Sequence, residues 1–377
     1  MPKSEKQGVG SSILPLATTM ETNLLNKMIS VYEDSNNIYK VTSYWEKYCS
    51  RLNYLLKNEP SIKYNYRYGG IKKGYEVLQS FSASDVYFDE KPNKFKKLIR
   101  LILRLLRLGQ FYPLIDNFLL RNKIKEYLNF EYEYTKNELI KNKLNIHSFP
   151  SSTFGNPKDK LIVEKSLFTK NHLYFLRRFN FLYEGLDGFK EVNTIVELSP
   201  GLGQLQEIIF KFNSNSKIIL FDLPYQLFIA FTYLDSVFPN KCEYIQSYDS
   251  NTELENGKIY FLNNSNISII KDLNISVDLF INSRSFQEME EENVLNYLDF
   301  IIYNTEYIYL NFFPQLQKSF YSIISGAAAN EKSVRISFIE DNLNNFKKIK
   351  TDSLKFVNKG YLYDDRKFIN SIYKKVN

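Results

Sequence analysis

Glu197, Gly201, Gly203 and Asp222 are the residues whose types and spacing could do chemistry together. The first three fall in VELSPGLGQL, residues 196–205, where an apolar run, NTIVEL, gives way to the helical pattern QLQEIIFKFN. A helix start exposes free backbone N–H groups and the positive end of its dipole, and glycine lets a ligand come close to the backbone, so a carboxylate or phosphate can bind there. Asp222 ends the next apolar run, KIILFDLP. In the usual strand order it lies beside the loop, where an acid accepts the hydrogen bonds of a ribose diol. The same glycines also suit a plain tight turn. A nicotinamide site is disfavoured, because Gln206 stands where close helix-on-sheet packing calls for a third glycine.

The elements that must position these residues are legible as short β-branched runs alternating with helix-length segments from about Asn193 onward. NTIVEL, KIILFDL, VDLFINS and EYIYLNFF read as buried strands, and their alternation with helices predicts a parallel sheet covered on both faces. The expected fold class is therefore α/β and Rossmann-like over residues 191–377. Upstream, residues 21–150 read as a mainly helical region, preceded by a loose tail over 1–20. SFPSSTFGNPKD, at 148–159, has the composition of a boundary, and residues 151–190 read as a connecting, substrate-side segment.

Composition narrows the function classes. An apolar share of 44% with 29 Tyr and 30 Phe is globular, and the two cysteines, Cys49 and Cys242, fit neither a disulfide framework nor a zinc site, which points to a reducing, cytoplasmic setting. The N-terminal stretch lacks the pattern of a signal peptide. Residues 1–150, 151–310 and 311–377 carry +9, −8 and +6 of the net +7. An acidic middle segment argues against a nucleic-acid partner. Within residues 91–108, Lys97, Arg100, Arg104 and Arg107 occupy one helical face and leucines the other. Such a helix suits either packing inside the N-terminal region or peripheral contact with an anionic membrane at its inner face.

The run Glu197-Leu-Ser-Pro-Gly201-Leu-Gly203 resembles the first motif of class I S-adenosylmethionine-dependent methyltransferases, with Ser199 where the family's first glycine stands. More specifically, FGNPKDKLIVEKSLFTKNHLYFLRRFNFL, FDLPYQLFIAFTYLDSVFP and VDLFINSRSFQEME resemble a bacterial family of sugar O-methyltransferases. That likeness covers roughly Phe154 to Phe313, and more weakly VTSYWEKY nearer the N-terminus. It implies S-adenosyl-L-methionine as cofactor and a sugar or glycan hydroxyl as acceptor. Carried over position by position, it implies that Gly201 and Gly203 lie against the methionine end, Glu197 near its amino group, Asp222 at the ribose and Leu223 beside the adenine. Asn282, Arg284 and Glu288 would face the transferring methyl.

Methyl transfer to a weakly acidic hydroxyl requires alignment and a base or a metal. His172, in FTKNHLYFLRRF, and Glu288 are the candidate bases. Each has a second reading: His172 as a packed core residue, and Glu288 as the closing member of a capping box begun by Ser285. Glu288 with Glu290, Glu291 and Glu292 is also the candidate seat of a divalent metal. His147 reads as a surface residue and Asp278 as a structural one. A non-sugar small-molecule acceptor, or a non-catalytic binding protein on the same fold, remains open, as does the oligomeric state.

Overall fold

The computed structural model describes residues 13–35, 43–58, 66–68, 112–157, 159–312, 334–354 and 368–376. The basic segment 91–108 lies outside them. Helices α1 (Ile13–Glu33), α2 (Ser43–Asn58) and α3 (Tyr112–Lys141) lead to a small antiparallel pair, β1 (Leu161–Val163) and β2 (Ser166–Phe168), and then to α4 (Lys170–Gly185). Helix α1 begins inside the stretch expected as tail.

The larger unit is built by β3 (Thr194–Leu198), α5 (Gln204–Phe212), β4 (Lys217–Asp222), α6 (Pro224–Val237), β5 (Cys242–Tyr244), β6 (Ile259–Asn263), α7 (Ile269–Asp272), β7 (Val277–Ser283), α8 (Glu291–Ile301), β8 (Thr305–Phe312), α9 (Ile336–Asp341), β9 (Phe346–Leu354) and β10 (Phe368–Lys375). Its strands form one sheet in the order β5-β6-β4-β3-β7-β8-β10-β9. From β5 to β8 every pair is parallel. Strand β10 then runs antiparallel to both β8 and β9, which the expectation of a purely parallel sheet did not include.

The central strands are near-continuous apolar runs because helices cover both of their faces. On the first face, Ile195, Ile218, Leu220, Phe261, Ile281 and Tyr309 pack with side chains of α1 to α6. On the second, Val196, Leu198, Phe221, Phe280 and Leu310 pack with α7, α8 and α9. Leu25 and Met28 of α1 and Leu52 and Leu55 of α2 belong to the first cluster. The N-terminal helices therefore share a core with the sheet. The fold is α/β and Rossmann-like, and its order reverses at β3, the kind of switch point where ligands bind outside the strands' carboxyl ends.

Residues 148–159 are stitched into this core. Arg67, fully buried on a short turn at Tyr66–Tyr68, donates to the carbonyls of Ser152 (2.7 Å) and Phe154 (3.2 Å) and to the hydroxyls of Ser151 and Thr169. Ser152 N–H donates to the buried Glu207 carboxylate at 3.1 Å. Polar composition here serves a crowded hydrogen-bonded crossing.

Candidate active site

The loop after β3 is held in a conformation that glycine favours. Ser199, Gly201 and Gly203 have φ of 65°, 62° and 89°. Ser199 N–H extends the β3–β4 ladder by donating to Phe221 O at 2.8 Å, and the Gln226 amide of α6 donates to Gly201 O. A Cβ on Gly203 would stand 2.7 Å from Leu234 Cδ1, so glycine is what allows α5 to start this close to α6. A serine in the left-handed region costs about 1–2 kcal/mol. Arg284, immediately after β7, also has positive φ, at 72°. Two strained side-chain-bearing residues thus follow the two strands that flank the switch point, a pattern typical of binding sites.

Two carboxyls approach this loop from below. Glu197 on β3 and Asp222 on β4 are 2% and 5% exposed. Asp222 Oδ1 accepts the Leu223 N–H at 2.7 Å, while Asp222 Oδ2 and Glu197 Oε2 have no hydrogen-bond partner. Burial pushes the Glu197 carboxyl up to about 8, partly relieved by Arg178 and reinforced by Asp222. Burial likewise pushes Asp222 up to about 8, opposed by the Leu223 N–H and reinforced by Glu288. Asn263, in register with Asp222 at the end of β6, donates to Met28 O at 2.6 Å and leaves its Oδ1 unpartnered. Gln226 Oε1 is unpartnered too. Each buried polar atom left this way costs roughly 1–3 kcal/mol. Their concentration at one sheet edge fits a polar ligand with hydroxyl and cationic groups.

Helix α4 lies across the same face. Its N-cap, Thr169, accepts the His172 N–H, and nearly two turns beyond His172 Arg178 reaches the sheet, donating from Nε to Tyr309 OH at 3.0 Å. Tyr309 OH in turn donates to Asn370 Oδ1 at 2.5 Å, which also receives Asn311 Nδ2. Beside it Arg284 donates to Tyr174 OH at 3.2 Å and to Asn311 Oδ1 at 3.3 Å. This aromatic and cationic wall forms the β7–β8 side of the site.

Several expected residues sit elsewhere. Asn282 pairs in register with Leu198 and so faces the second sheet face, away from Glu197 and Asp222. It is fully buried, donates to Ser285 Oγ (2.6 Å) and accepts Phe286 N–H (3.2 Å), and so clasps the end of β7 to the turn that follows. That bond occupies the Ser285 hydroxyl. The expected capping box therefore does not form: Phe286–Glu288 is a 3-10 turn without a side-chain cap, and α8 starts only at Glu291.

His172 is 0% exposed. Its Nε2 bonds Phe149 O at 2.8 Å, its Nδ1 lies 3.8 Å from Glu207 Oε2, and burial lowers its pKa to about 4. A ring enclosed in this way fits the packed reading of His172. Glu288 is half-buried and near enough to Asp222 to raise it. His147 is partly covered, bonded to Tyr132 OH and Ser166 Oγ. Asp278 is structural, taking the N–H groups of Asn193 and Thr194 at 2.8 Å each. Leu223 is partly buried beside Asp222.

Asn263 and Arg178 were missed. The run KIYFLN is as apolar as the recognised strands and ends in Asn263 much as KIILFD ends in Asp222, which was the available signal. Arg178 had none beyond being a charge amid an aromatic helix. Among the described residues no group of three His, Cys, Asp or Glu could hold a metal ion, and no helix is long and apolar enough to cross a membrane.

No family model matches the chain, and no curated protein matches it. Solved structures with a similar trace include magnesium protoporphyrin IX methyltransferase from Synechocystis PCC 6803 with bound SAH, at 10% identity and TM-score 0.37, covering 54% of this chain and 83% of that one. Mitomycin 7-O-methyltransferase matches at 10% identity and TM-score 0.34, over 54% of this chain and 57% of that one. The methyltransferase domain of a bacterial Hen1 protein matches at 12% and 0.36, over 52% and 97%.

Proposed function

We propose that this chain is an S-adenosyl-L-methionine-dependent O-methyltransferase whose acceptor is a sugar hydroxyl of a glycan or glycosylated metabolite. The observation that carries the reading is the pair of buried carboxyls, Glu197 and Asp222, each with an unpartnered oxygen, flanking a left-handed loop at the switch point. The residues present fit such a cofactor. Asp222 Oδ2 is free to take a ribose diol, Glu197 a cationic amino group, and Gly201 and Gly203 leave the backbone approachable. Leu223 supplies apolar surface beside Asp222 for the adenine.

When bound, the cofactor supplies a methyl group on a positively charged sulfur, already electrophilic. What remains for the chain is to align the acceptor oxygen and take its proton. Glu288, half-buried after β7, keeps the access a base needs; His172 does not. Tyr174 and Arg284 offer the aromatic and hydrogen-bonding surface that suits a hydroxyl-rich acceptor. The sugar itself rests on the sequence resemblance.

Calorimetric titration with S-adenosylhomocysteine, beside Asp222→Ala and with NAD as competitor, tests the reading. Binding by the wild type, loss in the variant and indifference to NAD are expected. No binding at millimolar ligand would sink the cofactor assignment. With binding established, methyl transfer to glycan-bound but not aglycone acceptors, abolished by Glu288→Gln, tests the rest.

A further inference from the structure

Register places Glu197 and Tyr309 on one row of the sheet. Glu197 pairs with Ile281, and Ile281 pairs with Tyr309, so the three side chains rise from the same face with an apolar residue between two polar ones. Two strand spacings separate the outer pair, about 10 Å between backbones. Arg178 stands over the Tyr309 end, its Nε anchored on the phenol and its guanidinium 5.2–5.7 Å from the ring centres of Tyr174, Phe175 and Tyr309. The guanidinium is 2% exposed, and Nη2 has no partner.

At the other end Glu197 Oε2 is equally buried and equally unpartnered. The two residues feel each other's charge without forming an ion pair. A cation and an acid that can ionise, at the two ends of a short apolar floor and each with an unused hydrogen-bonding atom, are complementary to a zwitterion. A lone cation would leave Arg178 unsatisfied, and a lone anion would leave Glu197 so.

We propose that Arg178 receives the carboxylate of the cofactor's amino-acid end while Glu197 holds its ammonium, so that the two residues clamp this end across Ile281. The proposal rests on the cofactor reading above and adds a residue to it. It also gives the α4 arginine a function that packing alone does not: a buried guanidinium with a donor left over is costly unless a ligand completes it.

The test compares two ligands that share a nucleoside. S-adenosylhomocysteine carries the amino-acid end; 5′-methylthioadenosine lacks it. Calorimetry of the full chain should show Arg178→Gln weakening S-adenosylhomocysteine by roughly tenfold or more, as expected for a lost charge-assisted bond. Affinity for 5′-methylthioadenosine should stay within about twofold, with Arg178→Lys recovering part of the loss. Equal loss for both ligands would make Arg178 a scaffold residue and overturn the proposal. So would unchanged S-adenosylhomocysteine affinity, which would hand the guanidinium to the acceptor. If Arg178→Gln does not fold, Tyr309→Phe, which frees Nε from its anchor, must show the same ligand-selective loss, and its absence overturns the clamp. Wild-type protein that binds neither ligand defeats the cofactor reading itself; wild type that binds both equally well defeats only the clamp.

Discussion

Asp222 and Glu197 should make cofactor affinity rise with pH. In the free protein both carboxyls are held near 8, chiefly by burial. Both must be ionised to do the work assigned to them, Asp222 accepting hydrogen bonds from a diol and Glu197 pairing an ammonium. A group with a pKa of about 8 is ionised only about 1% of the time at pH 6, and each unit is worth about 1.36 kcal/mol, or tenfold. 5′-Methylthioadenosine, which meets Asp222 but offers nothing to Glu197, should therefore bind about a hundredfold more tightly at about pH 8.5 than at about pH 6, releasing close to one proton per molecule at the acid end.

S-adenosylhomocysteine should release more, approaching two. Calorimetry in two buffers of different ionisation enthalpy counts these protons. The sign for the free protein is opposite. A carboxyl whose folded pKa lies above its unfolded value contributes stability that is fully present below the unfolded value and is lost as pH rises through the folded one. With folded values near 8 for both groups, the ligand-free melting temperature should fall between about pH 4 and about pH 8, and added ligand should restore more of it at the alkaline end. Affinity for 5′-methylthioadenosine that is flat across this range, with no proton release, would refute the account. So would a persistent slope in Asp222→Asn, which has no carboxyl there to titrate.

Gly203→Ala combines left-handed strain with a Cβ 2.7 Å from Leu234 Cδ1, and should lower unfolding stability by about 2–4 kcal/mol in urea titration; an unchanged midpoint would mean α5 and α6 separate freely. His172→Asn removes the bond to Phe149 O and should cost about 1–3 kcal/mol of stability. Its methyl-transfer rate at saturation should remain within about threefold of wild type. A collapse of rate in a folded variant that still binds S-adenosylhomocysteine would return His172 to the role of base.

What was legible in the sequence follows the range of the interaction involved. Strand, loop and helix around VELSPGLGQL are set by neighbours in the chain, and so are the positions of Glu197 and Asp222 at strand ends; all of these could be read. Side-chain facing could not. In strands buried on both faces the polar-apolar alternation that marks a face is absent, since Val196 and Glu197 are both covered. Which of two adjacent residues looks into the site depends on register, a property of the pairing. Asn282 and Glu288 read together as site residues because one lies near the end of the VDLFINS run and the other just after it. Pairing with Leu198 turns Asn282 to the second face, where it seizes Ser285 and dissolves the capping box that Ser285 and Glu288 spell. A local motif lost to a competing local donor that only the pairing brought into place.

Surroundings set by the fold also separate His172 from Arg178, six residues apart on one helix. Both are buried, and both carry nitrogen atoms without partners. His172 lies where α4 meets α5, beside a Glu207 carboxylate already engaged by Lys211, Tyr233 and Ser152, so its surroundings are closed by the protein itself. Arg178 lies where α4 meets β8, with aromatic rings around it and Glu197 close enough to act on its charge without an ion pair. The imidazole is lowered to about 4 by burial and so is neutral, and its Nδ1 lies against an acid the protein already engages. The Arg178 guanidinium keeps its charge, with Nη2 unpartnered and Glu197 Oε2 equally so, a difference invisible in the spacing of FTKNHLYFLRRF and the one on which the proposed clamp rests.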